Sequence, residues 1–189
     1  MTEIFKTEEI LLLRPDEQYA RQVMEFKEEM KNNGDGFDGC AGLEECGSFE
    51  EWVRFEERLK KKYKEGYVPS EVFLAVRTRD DRLVGIMDYR HPLSAFLLNY
   101  GGNIGYSVRP SERRKGYATE MLRLLLEVCG SYGEARVLVT CDRDNAASRK
   151  TILACGGVLE NEVEDISGLS ENSMIQRYWI QTGYREKTR

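Results

Sequence analysis

Residues 108–119 read Val-Arg-Pro-Ser-Glu-Arg-Arg-Lys-Gly-Tyr-Ala-Thr. The apolar run from Ile104 to Val108 reads as a strand that stops before Pro110, which has no N–H to give a ladder. Beyond Gly116 the period changes. Ala118, Met121, Leu122, Leu125, Cys129 and Tyr132 fall on one face of a long helix. Between strand and helix lies a polar loop carrying Arg113, Arg114 and Lys115. The first turn of a helix leaves N–H groups without intrahelical partners and carries the positive end of the macrodipole. Gly116 and Ala118 keep bulky side chains away from that end, and Gly116 lets the backbone approach a ligand closely. Strand, cationic loop and small-residue helix start make an anion site suited to a diphosphate.

Two common diphosphate readings are excluded. The stretch lacks the G-x-x-x-x-G-K-[ST] pattern of a nucleoside triphosphate loop. Gly101-Gly102-Asn103-Ile104-Gly105 departs from G-x-G-x-x-G and precedes a strand where a dinucleotide fingerprint follows one.

Outward from this loop, the element order reads β-α-α-β-β-β-α-β-α-β-β. Glu8 to Arg14 is a first strand, stopped by Pro15, with Asp16 able to cap the next helix. Tyr19, Val23, Phe26 and Met30 give that helix its apolar stripe, and Asn32 to Gly36 ends it. Residues 37–48 are a loop rich in glycine, cysteine and acids. Ser48 and Glu51 form a capping-box signal before the stripe Trp52, Phe55, Leu59 and Tyr63, closed at Gly66. Val72–Val76 and Leu83–Tyr89 are strands joined by the Arg79–Arg82 turn, and residues 92–102 are a loop or irregular strand. After the central helix come a strand at Val137–Cys141, a helix at Asn145–Cys155, a strand at Val158–Val163, a turn at Gly168–Asn172 and a last strand at Met174–Ile180. The expected fold class is α/β (α+β), with a mixed, mostly antiparallel sheet of six to seven strands and helices on both faces. Ile104–Val108 and Val137–Cys141 form a parallel pair bridged by a right-handed helical crossover. No repeat or linker divides the chain, so residues 1–189 are expected to form a single domain.

Composition narrows the class. With 28 basic and 33 acidic residues the net charge is −5, which weighs against a nucleic-acid binder. Hydrophobic residues at 41% and charged residues at 32% describe a chain with a core. No apolar run approaches the roughly 20 residues of a membrane helix, and the N-terminus lacks a secretory pattern. The five cysteines are odd in number and follow neither disulfide nor zinc spacing, so a reducing cytoplasm is expected. Cys129, Cys141 and Cys155 read as small core residues. With His91 the sole histidine, no metal is expected, and any histidine-dependent hydrolase triad would have to run through it.

Arg113-Arg114-Lys115-Gly116-Tyr117-Ala118 resembles the [QR]-x-x-G-x-[GA] signature of the GNAT superfamily of N-acetyltransferases. Asn145-Ala146-Ala147-Ser148, about 30 residues on, and Gly156-Gly157-Val158 are similar to the family's next landmarks, so residues 67–180, roughly 60% of the chain, carry the resemblance. Arg90-His91, Ile104-Gly105-Tyr106 and Arg109-Pro110-Ser111-Glu112-Arg113 resemble a group of poorly characterised bacterial acetyltransferases. The resemblance implies a GNAT-like acyl-CoA N-acyltransferase fold whose parallel pair splays apart around the pantetheine arm of acetyl-coenzyme A, bound as co-substrate. Residues 67–180 would then be the coenzyme-binding core and residues 15–66 a helical acceptor side. Arg113, Arg114, Lys115, Gly116, Tyr117, Ala118 and Thr119 would hold the pyrophosphate. Val108 would pair with the arm and polarise the thioester, and Asn145 and Ser148 would fix the arm near the sulfur. The acetyl group would pass by direct attack to a primary amine, on a small molecule or a peptide. A non-catalytic acyl-CoA-binding or regulatory module of the same fold is the alternative, and a transferase for longer acyl chains is a third reading. A monomer and a homodimer are both open.

The sequence departs from the family at two places. The tyrosine common seven residues after the asparagine is Ile152, and the glutamate common on the strand before the loop is replaced by Gly102, with Asn103 beside it. His91, Tyr106 and Asp88 are therefore the candidate proton-transfer groups, in that order. Glu25 to Glu57 holds eleven acids against three bases, a local net of −8. It reads either as a solvated face of two helices or as a field that attracts a cationic acceptor.

Overall fold

The computed structural model describes residues 3–61, 68–166 and 174–184. Tyr63, Gly66 and the 168–172 turn lie outside the described residues. Among the described residues the elements run β1 (Glu3–Lys6), β2 (Ile10–Leu13), α1 (Ala20–Asn32), α2 (Phe49–Leu59), β3 (Ser70–Arg77), β4 (Arg82–Arg90), β5 (Ile104–Val108), α3 (Tyr117–Ser131), β6 (Arg136–Asp142), α4 (Ala146–Ala154), β7 (Val158–Glu164) and β8 (Met174–Gln181). The mixed α/β class is as expected, with the strands divided between a five-stranded sheet, β1-β2-β3-β4-β5, and a three-stranded one, β6-β8-β7. The strand count exceeds six to seven because the N-terminal run folds into a hairpin. At its tip Thr7 accepts the Ile10 N–H on its hydroxyl (3.0 Å) and donates its own N–H to the Ile10 carbonyl (2.8 Å). Residues 97–101, expected as loop or strand, form one turn of π-helix.

Alternation along the strands builds two cores, one on each face of the larger sheet. Phe73, Ala75, Met87 and Tyr89 face α3 and meet Met121, Leu122, Leu125 and Val128. Val72, Leu74, Val76 and Ile86 face the other way and meet Val23, Phe26 and Met30 of α1 and Trp52 of α2. Local capping accords with the sequence. Ser48 accepts the Glu51 N–H (3.2 Å), while the Glu51 carboxylate reaches back to the Gly47 N–H (2.7 Å). Asp16 caps a short 3₁₀ turn, Glu17–Tyr19, that leads into α1. Tyr132, expected on the apolar stripe of the central helix, lies just past α3, half-exposed, and donates its hydroxyl to Glu71 (2.9 Å).

The two sheets touch at the start of β5 and then part. The Asn103 N–H donates to the Leu138 carbonyl (2.7 Å), its Oδ1 accepts from the Leu138 N–H (2.8 Å), and its Nδ2 donates to the Arg90 carbonyl (2.9 Å). Gly102 has φ +65°, and a Cβ there would sit 2.7 Å from the Leu138 oxygen, so the junction requires glycine. Beyond this joint β5 and β6 belong to different sheets and share no ladder, so the expected parallel pair is not hydrogen-bonded along its length and the gap left between the two strands forms a crevice.

Candidate active site

The cationic loop follows the C-terminal end of β5. Arg114 (φ +64°) and Gly116 (φ +89°) both have left-handed backbone, and α3 begins at Tyr117. Such a bend turns successive N–H groups into one concavity. Among the described residues, no hydrogen bond is made to the N–H groups of Gly116, Tyr117 or Ala118, while those of Thr119 and Glu120 are given to the Gly116 carbonyl (3.1 and 3.3 Å). A Cβ at Gly116 would meet nothing within 4 Å, so the space above these donors is open. From Lys115 and Gly116 a cleft of about 480 Å³ follows α3 past Thr119 and Arg123.

The expected loop residues divide by what they do. Arg114 is exposed, with no ion pair among the described residues. Lys115 is exposed and shares Glu112 (2.8 Å). Tyr117 and Ala118 contribute backbone donors only, since the Tyr117 ring is buried and its hydroxyl accepts from Arg77 (3.0 Å). For Thr119 the hydroxyl remains, its N–H being used. Arg113 turns away from the concavity. Its guanidinium grips Asp35 with two bonds (3.0 and 2.7 Å), and its Nε donates to the Val108 carbonyl (3.0 Å).

Sequence reasoning missed the struts behind this loop. Arg109, only 3% exposed, donates to Glu29 (2.6 Å), and the same carboxylate accepts the Ser111 N–H. Burial works to raise the Glu29 pKa, but the bonds from Ser111 and Arg109 overcome it and hold the carboxyl below its ordinary value. Glu112 bridges Arg77 (2.7 Å) and Lys115, and is likewise held low against its burial. Three of the eleven acids of that stretch are therefore spent on this frame: Glu25, Glu29 and Asp35 answer Arg109 and Arg113.

Along the crevice, the Arg109 N–H bonds to the Val84 carbonyl (2.8 Å), which directs odd-numbered residues of β5 toward β4. Tyr106 and Val108 consequently turn their backbone groups to the free edge. The Val108 carbonyl is taken by Arg113, leaving its N–H. From this edge the Tyr106 hydroxyl reaches Ser148 Oγ on α4 (2.9 Å). Asn145 caps α4 by accepting the Ser148 N–H (2.9 Å), which fixes that serine across from Tyr106. Burial pushes the Tyr106 hydroxyl well above its usual pKa. The neighbouring Cys141 thiol is pushed up to about 11 by burial, against a hydrogen bond with Ser148. Ile152, where a tyrosine is common, is fully buried in the core.

Of the two other proton-transfer candidates, His91 lies away from this edge and Asp88, beside β5, is already committed. His91 stacks on Tyr89 (4.8 Å between centroids, 14° between planes) and lies 6.3 Å from the Tyr132 ring. That places it at the C-terminal end of α3, whose 15 residues span about 22 Å from the cationic loop. Asp88 is 5% exposed, with both oxygens held by Arg90 (2.9 and 2.8 Å) and one also accepting the Gly105 N–H (3.1 Å).

Comparison with known proteins accords with this geometry. The Acetyltransferase (GNAT) domain family matches residues 13–158. The chain belongs to the GNAT acetyltransferase family. This GNAT protein is thereby an acyltransferase, with acetyl-CoA as co-substrate. Its fold is similar to RimL, the ribosomal L7/L12 α-N-protein acetyltransferase in complex with coenzyme A, at 17% identity over 95% of this chain and 98% of that one, TM-score 0.72. It is similar to the ribosomal-protein-S5-alanine acetyltransferase from Vibrio fischeri, at 15% identity over 96% and 98%, TM-score 0.71. It is also similar to the microcin C7 self-immunity acetyltransferase MccE in complex with acetyl-CoA and AMP, at 21% identity over 93% of each chain, TM-score 0.67. No curated protein sequence gives a significant match. The GNAT protein's donors fit the coenzyme: unpartnered N–H groups at a helix start, an open face at Gly116 and cations beside them. Among its described residues no group of three or more His, Cys, Asp or Glu side chains could hold a metal ion, and no helix is long and apolar enough to cross a membrane.

Proposed function

We propose that this enzyme moves the acetyl group of acetyl-CoA to a primary amine, on a small molecule or at a peptide terminus, by direct attack on the thioester. The observation that carries this reading is the continuous line from the unpartnered N–H groups of Gly116, Tyr117 and Ala118, along the free edge of β5, to the Tyr106–Ser148 pair. Bound acetyl-CoA supplies an activated acetyl group. The helix start binds the pyrophosphate, with Arg114, Lys115 and the Thr119 hydroxyl around it. The Val108 N–H and the outward groups of Tyr106 pair with the pantetheine arm, as an added strand would. Holding the two reactants in one crevice supplies much of the rate, and a backbone N–H of this edge stabilises charge on the carbonyl oxygen. Tyr106 and Ser148 stand where a proton is needed by the departing sulfur. With their raised pKa values, Tyr106 and Cys141 stay protonated at neutral pH.

The similar folds suggest α-amino groups as acceptors: two of those proteins are described as acetylating ribosomal proteins. The chain would act as a single unit, with residues 67–180 binding coenzyme and residues 15–66 forming the acceptor side. The free thiols of Cys40, Cys46, Cys129, Cys141 and Cys155 suit a reducing cytoplasm. The test is thiol release from acetyl-CoA across a panel of alkylamines, polyamines and peptides with free N-termini, with the acetylated product identified by mass. Turnover on at least one amine supports the reading, and coenzyme binding without turnover on any favours a non-catalytic module.

A further inference from the structure

Resting on that reading of the crevice and naming its acceptor end, we propose that Asp38 binds the acceptor as a primary alkylammonium ion and takes its proton. The residue lies on the loop between α1 and α2, which is fastened at both ends. Asp35 is gripped by Arg113, and the Cys40 carbonyl accepts from Trp52 Nε1 (2.9 Å). Between these points the Asp38 carbonyl accepts from Ser107 Oγ on β5 (2.7 Å). The next residue, Gly39, has φ +74°, and a Cβ there would lie 2.2 Å from the Gly105 oxygen. The loop backbone therefore sits directly on β5 at residues 105–107, the strand whose outer edge lines the crevice. Because Arg113 belongs to the coenzyme loop, the same fastening sets Asp38 relative to the coenzyme site.

The charged groups that act on the Asp38 carboxyl are Arg90 and Asp88 on β4 and Asp142 at the end of β6. Arg90 is already committed, bonded to both oxygens of Asp88 and to the Gly101 carbonyl (3.1 Å). Among the described residues, no hydrogen bond is made to the Asp38 carboxyl. The residue is exposed. Loss of hydration raises its pKa, Arg90 opposes, and Asp142 and Asp88 add to the rise. An accessible carboxylate with no hydrogen-bond partner among the described residues, on a loop held against β5 and influenced by the charges of Asp142 and Asp88, suits a small cation and the removal of its proton.

The step balances. One proton passes from the ammonium nitrogen to a carboxylate oxygen of Asp38. The freed lone pair forms the N–C bond to the acetyl carbon while the C–S bond breaks. The second proton shed by nitrogen goes to the sulfur through the Tyr106–Ser148 pair, and Asp38 returns its proton to solvent.

The test is carboxyl-detected NMR of the full chain titrated with n-butylammonium chloride, for wild type, Asp38→Asn and Asp38→Glu. Calorimetry with acetyl-CoA serves as the folding control. The expected result is that butylammonium shifts the Asp38 and Asp142 resonances, and that Asp38→Asn weakens it at least tenfold with coenzyme affinity unchanged. With an amine that turns over, kcat/KM of wild type should rise with pH through the elevated Asp38 pKa. Asp38→Asn should lose that limb and Asp38→Glu should restore it in part. Equal butylammonium affinity in Asp38→Asn, or shifts confined to other regions, overturns the role of Asp38 and leaves the coenzyme reading standing. Absence of acetyl-CoA binding by wild type overturns both.

Discussion

Asn103 satisfies both backbone groups of Leu138, its N–H serving the carbonyl and its side-chain oxygen serving the N–H. One residue thus does for the two sheets what a ladder does elsewhere, and the strands are free to diverge from that point. A leucine in place of this asparagine would leave the Leu138 N–H and the Arg90 carbonyl without these partners. Each buried polar group so stranded costs about 1–3 kcal/mol. Asn103→Leu should lower stability by roughly 2 kcal/mol or more in urea unfolding and weaken acetyl-CoA binding as the crevice loses its hinge. Unchanged stability would show that the sheets are joined by other contacts.

Gly116 separates backbone strain from ligand exclusion. At φ +89° any side chain is strained, so Gly116→Ala should cost about 1 kcal/mol of stability and affect the coenzyme modestly. Gly116→Glu adds a negative charge where the pyrophosphate is expected, and acetyl-CoA affinity should fall on the order of 100-fold beyond the alanine variant. Equal affinities in the two variants would place the pyrophosphate elsewhere.

Acid should loosen the frame behind the loop. The folded pKa of Glu29 is lowered, so its contribution is fully present above its unfolded value, about 4.3, and is lost as pH falls through the lowered one. Glu29→Gln should therefore be less stable than wild type at pH 7, by about 1–2 kcal/mol, with the gap closing below about pH 4. Thermal unfolding of both proteins across pH 3–7 reads this directly, and a gap independent of pH would deny the ion pair its role.

The sulfur end and the aromatic stack make opposite predictions. Tyr106→Phe and Ser148→Ala should each lower kcat about tenfold to 100-fold with acetyl-CoA affinity unchanged, as expected for lost proton transfer. His91→Phe keeps a ring against Tyr89 and should leave kcat and its pH profile as in wild type. Steady-state kinetics on one reactive amine checks all three, and a collapse of kcat in His91→Phe would return that histidine to the mechanism.

What the sequence revealed followed from local rules. Pro110, Gly116 and the apolar stripe of α3 define a strand, a bend and a helix start within a short stretch of chain, and the anion site is a property of that succession. The caps at Ser48 and Asn145 are equally local. What stayed hidden depends on residues far apart. Asn103 reads as one more polar residue after two glycines until Leu138 is beside it. Arg113 reads as a phosphate ligand until Asp35 is seen to claim it. Asp38 is one acid among eleven between Glu25 and Glu57, and only the placement of its loop on β5 sets it apart. His91 drew attention because it is the sole histidine, a matter of composition that carries no position.

Isothermal titration of acetyl-CoA into the folded wild-type protein tests the central claim most directly, that the helix start at Gly116 grips a coenzyme pyrophosphate. The account predicts one saturable site per chain, weakened on the order of 100-fold or more in Gly116→Glu and retained in Asp38→Asn. A wild-type protein of intact fold that gives no binding heat at several temperatures, and no competition by coenzyme A, would contradict it.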